Sequence, residues 1–317
     1  MDYRSLGKCG TNVSVLSLGG WTTFGESVQD RQLTQSIIRY AYDAGINFFD
    51  IADIYAIGES ERMMGEVLRE FPRHTLVISS KVFWPMSDDI NDRGLSRKHI
   101  MESIDKSLQR IGTDYLDIYF CHRYDENTPV EETCRAMDDL IHQGKILYWG
   151  TSEWTGDQLR EALDICERYN LYKPQVEQPH YNLLVWEKMH TDVIPTAEDN
   201  GLGLVIWSPL ASGVLTGKYD NGIPDDTRLA RMDWLRNRFE GDASSPFERV
   251  KVLKSITDEL GITRAQLAMA WTIRRTSISS AITGATKLEQ LQENLKVLAL
   301  QIDEAVWAQV DSLMGIQ

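Results

Sequence analysis

Asp50, Tyr55, Lys81 and His122 stand at or just past the ends of short apolar runs. Ile46 to Phe49 reads as a buried strand that stops at the Asp50 carboxylate, with Tyr55 five residues further on. Leu76 to Ser80 runs into Lys81, and Leu116 to Cys121 runs into His122. Buried parallel strands are near-continuous apolar runs, so an ionisable residue closing each one needs a reason. A lone strand-end Asp usually caps a helix, a lone Lys usually reaches solvent, and a lone His usually satisfies a backbone group. On three successive strands they converge. A free tyrosine has a pKa near ~10, and an ammonium within ~4–6 Å favours its phenolate. Lys81 is expected to supply that charge and lower the Tyr55 pKa, by an amount worth ~3–4 kcal/mol. Asp50 is expected to pair with Lys81, so that neither is an isolated buried ion. Tyr55 then reads as a general acid that protonates a carbonyl as hydride arrives, with His122 orienting the same oxygen. No side chain donates hydride, so this chemistry requires a cofactor.

The elements that must position these groups alternate regularly. Tyr3–Leu6 and Val13–Leu18 flank Gly7-Lys8-Cys9-Gly10, a hairpin signal. Counted from Val13, eight strand runs alternate with helical periods, and seven end in a polar residue or glycine: Asp50, Lys81, His122, Ser152, Gln178, Ser208 and Gly284. Strict alternation implies parallel right-handed crossovers, and eight units suit a closed (β/α)8 TIM barrel. A doubly wound sheet would place G-x-G-x-x-G after its first strand, and that motif is absent. The expected architecture is α/β: one barrel domain over 1–317 with an N-terminal β-hairpin, a long insertion after strand seven, and a C-terminal helix from Asp303 to Leu313. The insertion, 209–261, is too long for an ordinary connection and reads as a lid over a ligand, with helical pieces at Leu229–Phe239 and Pro246–Leu260.

Composition narrows the classes. The chain has 317 residues, is 42% hydrophobic and carries nine Trp, enough for a full core. A net charge of -14 argues against nucleic acid or an anionic membrane as the main partner. Cys9, Cys121, Cys134 and Cys166 form no metal or C-x-x-C spacing and read as reduced thiols in a cytoplasmic protein, with no metal site. No apolar run approaches ~18 residues, so no membrane insertion is expected.

Several motifs resemble the aldo-keto reductase superfamily, and within it the β-subunits of voltage-gated potassium channels and their bacterial relatives. They are Leu18-Gly19-Gly20-Trp21, Phe49-Asp50-Ile51-Ala52-Asp53-Ile54-Tyr55, Lys81-Val82-Phe83-Trp84, His122-Arg123, Gly150-Thr151-Ser152, Trp207-Ser208-Pro209-Leu210, Gly217-Lys218-Tyr219 and Gly284-Ala285 with Gln290, Glu293 and Asn294. The resemblance implies a tetrad of Asp50, Tyr55, Lys81 and His122, and an extended NADPH across the barrel mouth, NADH being the lesser expectation. It implies that Ser152 and Gln178 hold the nicotinamide carboxamide. Trp207, Ser208, Leu210, Gly213, Lys218 and Arg228 would follow the pyrophosphate and ribose, with Gly20, Trp21, Pro209, Ala211 and Ser212 also at the cofactor. Gly284, Thr286, Gln290, Glu293 and Asn294 would hold the adenosine end, where a helix N-terminus suits a phosphate.

The chain departs from the family at several positions. Gly284 and Gln290 replace a Lys and an Arg that other members use at the adenosine phosphate, which leaves Arg228, Lys218 and Lys287 as cations for that arm. Gly20 stands where many members have Thr. Mammalian channel subunits tend to carry Asn where this chain has His122, and keeping His favours a working reductase. The N-terminal inactivation segment of some channel subunits is expected to be lacking. Trp21, Phe24, Trp84 and Tyr181 are expected to wall a pocket for aldehydes or ketones with apolar or flat groups. Lys81 as a Schiff-base lysine of a barrel aldolase is a rival that leaves Tyr55 and the insertion unexplained. The other rival is a redox sensor or channel-associated protein that holds NADPH and turns over slowly; the family's tetramers make a homo-oligomer a further expectation.

Overall fold

A computed structural model describes residues 1–240 and 245–316; positions 241–244 of the expected insertion lie outside them. Among the described residues ten strands form: β1 (Tyr3–Ser5), β2 (Asn12–Ser14), β3 (Leu16–Gly19), β4 (Phe48–Asp50), β5 (Val77–Val82), β6 (Leu116–Cys121), β7 (Ile146–Ser152), β8 (Val176–Gln178), β9 (Gly203–Trp207) and β10 (Ile278–Thr283). Strands β3 to β10 close into one parallel barrel in sequence order, β10 pairing with β3. The eight-unit expectation holds, with one change at the start. Val13–Leu18 is two strands: β2 completes the hairpin with β1, and β3 opens the barrel.

Period-two alternation sorts each barrel strand into an inner and an outer face. Phe48, Val77, Ile118, Phe120, Val176, Val205 and Ile282 form one buried inner cluster with Leu6 and Val13 of the hairpin. The hairpin seals the barrel floor. Its turn docks on the start of β9, where Lys8 N–H donates to the Gly201 carbonyl at 2.9 Å. Gly7 has φ +61° there, and a Cβ would lie 2.4 Å from Gly201 O, so no other residue fits without backbone movement. Residues two or four positions further along each strand share the inner face at its carboxyl end. By that parity Phe48 leads to Asp50, Val77 to Ser79 and Lys81, Phe120 to His122, Val176 to Gln178, and Val205 to Trp207. The outer face carries Phe49, Ile78, Tyr119 and Cys121 into the larger core beneath the helices.

Local signals start the helices. Asp30 caps Arg31–Asp43 by accepting from Gln32 and Leu33 N–H, and Ser96 caps Arg97–Ile111. Thr155 with Gln158, and Thr263 with Gln266, form reciprocal capping boxes. From Glu187 to Asn200 the chain is helical throughout, with a π-turn at Met189–Val193 leading into Ile194–Asn200, which has a proline in its first turn. The segment after β9 holds short pieces: a 3-10 stretch Ala211–Thr216, then helices Arg228–Arg231, Asp233–Glu240, Pro246–Lys251 and Lys254–Leu260.

Candidate active site

Lys81 is fully buried on the inner face of β5, one residue before the strand ends rather than at its end. Its Nζ donates to Asp50 Oδ2 at 2.6 Å, to the Ile51 carbonyl at 2.7 Å and to Tyr55 Oη at 3.1 Å. All three ammonium hydrogens therefore have acceptors. The second carboxylate oxygen of Asp50 accepts from Ser79 Oγ at 2.8 Å and Gln178 Nε2 at 2.9 Å. One ion pair thus binds β4, β5 and β8 together at the barrel mouth. A buried pair satisfied on every side costs far less than two buried ions left alone.

Tyr55 begins a tight turn, Tyr55–Gly58, in which Ala56, Ile57 and Gly58 have φ of +48°, +51° and +81°. Two successive non-glycine residues in the left-handed region carry ~1–3 kcal/mol of strain each, a burden that concentrates at functional sites. A buried polar cluster behind the turn restrains it. Glu61 accepts from Ser80 Oγ at 2.6 Å and pairs with Arg110, and Asp53 Oδ1 accepts the Ile54 N–H at 2.6 Å. Burial, reinforced by the Glu61 carboxylate, pushes the Asp53 carboxyl well above the usual range.

The charges on the tetrad follow from burial. The Tyr55 phenol is pushed well above its ordinary value by burial and then by the Asp50 carboxylate, with Arg123 acting in the opposite sense. The lowered phenol pKa expected from Lys81 is therefore overturned: burial, with the Asp50 carboxylate, sets the direction of the shift. Burial lowers Lys81, against the pull of Asp50. His122 is held well below its ordinary value by burial and by the charges of Lys81 and Arg123, so its imidazole is neutral at pH 7. Its Nδ1 is buried and has no hydrogen-bond partner among the described residues. Its ring lies edge-on to Tyr55 at 5.8 Å and to Trp84 at 6.3 Å between centroids.

Tyr55 and His122 form one wall of a cavity of about 1020 Å³ that runs from the barrel mouth beneath the segment after β9. That is the upper end of the ~300–1,000 Å³ found for small-molecule and cofactor sites. Ser152 and Gln178 line it near the tetrad, with Trp207, Ser208, Leu210, Gly213, Lys218 and Arg228 further along. Gly284, Thr286, Gln290, Glu293 and Asn294 line its far arm. A large concave site with convergent polar groups and displaced pKa values is where chemistry is expected. The Aldo/keto reductase family model matches residues 15–314. The chain belongs to the aldo/keto reductase family.

Two plant relatives match over nearly the whole chain. A protein of Arabidopsis thaliana named "Probable voltage-gated potassium channel subunit beta" is 46% identical over 301 residues, covering 94% of this chain and 91% of its own length. A rice protein (Oryza sativa subsp. japonica) with the same name is also 46% identical over 301 residues, with the same coverage. Carbonyl reduction is the general activity of aldo/keto reductases, and they generally use NADP(H). Among the described residues, no helix is long and apolar enough to cross a membrane, and no group of His, Cys, Asp and Glu could hold a metal.

Four sequence expectations fail within this aldo/keto reductase cavity. Phe24 is buried in the core, its bridge to Val28 folding the loop after β3 back on itself. Tyr181 is also buried, its hydroxyl on His190 Nε2 at 2.9 Å and its ring 4.9 Å from Trp271, away from the cavity. Neither walls a pocket. Gly20 is not part of the lining: a Cβ there would lie 2.3 Å from Ser60 Oγ, so it faces the helix Glu59–Leu68. Ala211 is buried and does not line the cavity either. Trp21 and Trp84 do line it, as do Pro209 and Ser212. Unexpected contributors include Arg123, Arg231, Trp234, Asp226 and Thr227. Arg123 directly follows His122, so its place was the most readable of these.

Glu177, the neighbour of Gln178 on the outer face of β8, is fully buried. It accepts from Trp154 N–H at 3.1 Å and pairs with Thr151 Oγ1. Burial raises its pKa from 4.5 to about 8. The folded protein then holds a proton that the unfolded chain releases between those values, so stability falls as pH rises through that window. Glu177→Gln is expected to leave stability near pH 5 little changed and to raise it at pH 8 by on the order of 2–4 kcal/mol. Urea denaturation at both pH values checks this, and a difference independent of pH would contradict it.

Proposed function

We propose that this protein is an NADPH-dependent carbonyl reductase acting on aldehydes or ketones, with Tyr55 as the general acid. The observation that carries the reading is the buried Lys81 ammonium shared between Asp50 and Tyr55 Oη beside His122 at the cavity wall. When bound, the nicotinamide supplies the hydride. Tyr55 keeps its proton at neutral pH, because burial holds its pKa high. As hydride reaches the carbonyl carbon, the alkoxide forming on the carbonyl oxygen is a stronger base than a phenolate, so the raised phenol still gives its proton up. The resulting phenolate faces Lys81 Nζ, 3.1 Å from its oxygen, which offsets the charge as it appears. His122, neutral, is suited to hydrogen-bond and orient the carbonyl oxygen without competing as an acid.

The lining suits a phosphorylated dinucleotide. Lys218 is lowered by burial and then by the neighbouring Arg228 charge, with Asp226 opposing. Two crowded cations beside a cavity gain from an intervening anion. Arg228 Nη2 donates to Thr23 Oγ1 at 3.2 Å, which fixes the guanidinium near Gly284. Lys218 and Arg228 would hold the pyrophosphate, Ser152 and Gln178 the carboxamide, and Gln290, Glu293 and Asn294 the adenosine end. The chain is read as one domain, with 209–261 as the lid that carries Lys218 and Arg228.

Arg228→Ala is expected to weaken NADPH binding ~10- to 100-fold, the loss of a charge-assisted contact. Quenching of Trp fluorescence during an NADPH titration measures it, and an unchanged affinity would contradict the assignment. The relatives' name supports a second reading, in which the same site holds NADPH and turns over slowly within a channel-associated homo-oligomer. Tight binding with negligible carbonyl reduction is the result that would favour it.

A further inference from the structure

The cations lining the cavity fall into two groups. Lys218, Arg228 and Arg231 come from the segment after β9, and Lys287 from the turn after β10. Arg123 alone among these comes from the end of β6, immediately after His122. Its guanidinium stands 5.7 Å from the centre of the Trp84 ring. Trp84 in turn packs edge-on against His122, which packs against Tyr55. Arg123 Nη1 donates to the His122 carbonyl and, at 3.4 Å, to Ser152 Oγ. The proton donor and this guanidinium therefore flank one His122–Trp84 pair on one cavity wall.

We propose that Arg123 is a specificity-determining residue that receives a carboxylate carried by the carbonyl substrate. The proposal rests on the reductase reading and adds a substrate class to it: short or flat aldehydes and ketones bearing an anionic group. Guanidinium geometry suits it, because its planar fork matches a carboxylate. Placement suits it too: Lys218 and Arg228 are committed to phosphate in the reading above, whereas Arg123 directly follows His122 on the wall that carries the tetrad. Trp84, 38% exposed, offers a flat face for the body that joins the two ends of such a substrate. In a chain of net charge -14, a cation at the cavity wall is also the feature that would draw an anionic substrate inward.

The test compares 4-carboxybenzaldehyde with 4-carbamoylbenzaldehyde, nearly identical in size and differing in charge, using the full-length protein with NADPH. The expected result is that Arg123→Gln lowers the ratio of the two kcat/KM values ~10-fold or more, through KM for the carboxylate, and that Arg123→Lys restores part of it. An unchanged ratio would overturn the proposal. So would an equal loss on both aldehydes, which would make Arg123 a positioning residue acting through His122 and Ser152. If the wild-type protein failed to oxidise NADPH with the neutral aldehyde, the reductase reading itself would fall, and this proposal with it.

Discussion

Tyr55→Phe is expected to cut carbonyl reduction by about 10²–10⁴-fold while leaving NADPH affinity within a factor of two. The substitution removes one hydroxyl from a ring held by the turn Tyr55–Gly58 and by the edge-on contact with His122. The barrel has no reason to change. The hydrogen bond from Lys81 Nζ to Oη is lost, but Asp50 and the Ile51 carbonyl remain as acceptors, so Lys81 keeps its place. Loss of rate without loss of affinity is the mark of an interaction made in the transition state. The pH dependence sharpens the test. The phenol is held above its ordinary value and His122 is neutral, so wild-type reduction should show no loss between about pH 6 and 9 from either group. Steady-state kinetics across that range, with cofactor titration of the variant, would measure both. A variant that reduces aldehydes at the wild-type rate would remove Tyr55 from the chemistry.

Asp50→Asn should be the most damaging change to the fold among the tetrad positions. Asp50 and Lys81 are both buried, with Asp50 2% exposed and Lys81 inaccessible. Asn keeps the shape and can still receive Ser79 and Gln178, but it leaves the ammonium without a counter-charge. Removing one partner of a buried pair typically costs ~3–5 kcal/mol. Burial already lowers the Lys81 pKa, so loss of the carboxylate drives it toward the neutral amine and deprives the nascent phenolate of its stabilising charge. Both stability and rate are expected to fall, the rate by about 10²-fold or more. Adding Lys81→Met removes the stranded charge and should recover most of the stability while the enzyme stays inactive. That split separates the two roles of the pair. Urea denaturation of the single and double variants measures the first, and turnover the second. A double variant as unstable as Asp50→Asn alone would show that the pair's charge is not what the fold depends on.

The barrel and the tetrad were legible because the two periods agree. The parity that puts Phe48, Val77, Phe120 and Val176 in the inner cluster also puts Asp50, Lys81, His122 and Gln178 at its mouth. Residues on strands inherit their direction from that alternation, so strand ends could be read directly. Loop residues have no such rule. Phe24 and Trp21 lie three positions apart between β3 and the first helix, yet one is core and the other cavity wall. Tyr181 follows β8 but turns outward to His190, a contact fixed by tertiary packing alone. The two strands within Val13–Leu18 look like one run because Val15, the residue between them, is itself buried and apolar. The direction of the Tyr55 pKa was misread for a related reason: charge types can be read from sequence, whereas the depth that sets desolvation cannot. Trp234 and Arg231 were hidden because the insertion breaks into helices too short to show a clear period.

The most direct measurement is a single-turnover reaction of the protein with NADPH deuterated at the transferable position and 4-nitrobenzaldehyde. The account predicts tight NADPH binding, rapid loss of the nicotinamide absorbance, and deuterium at the carbinol carbon of the alcohol product. Tight binding with no transfer of deuterium would contradict the reductase reading and leave a protein that holds the cofactor for another purpose.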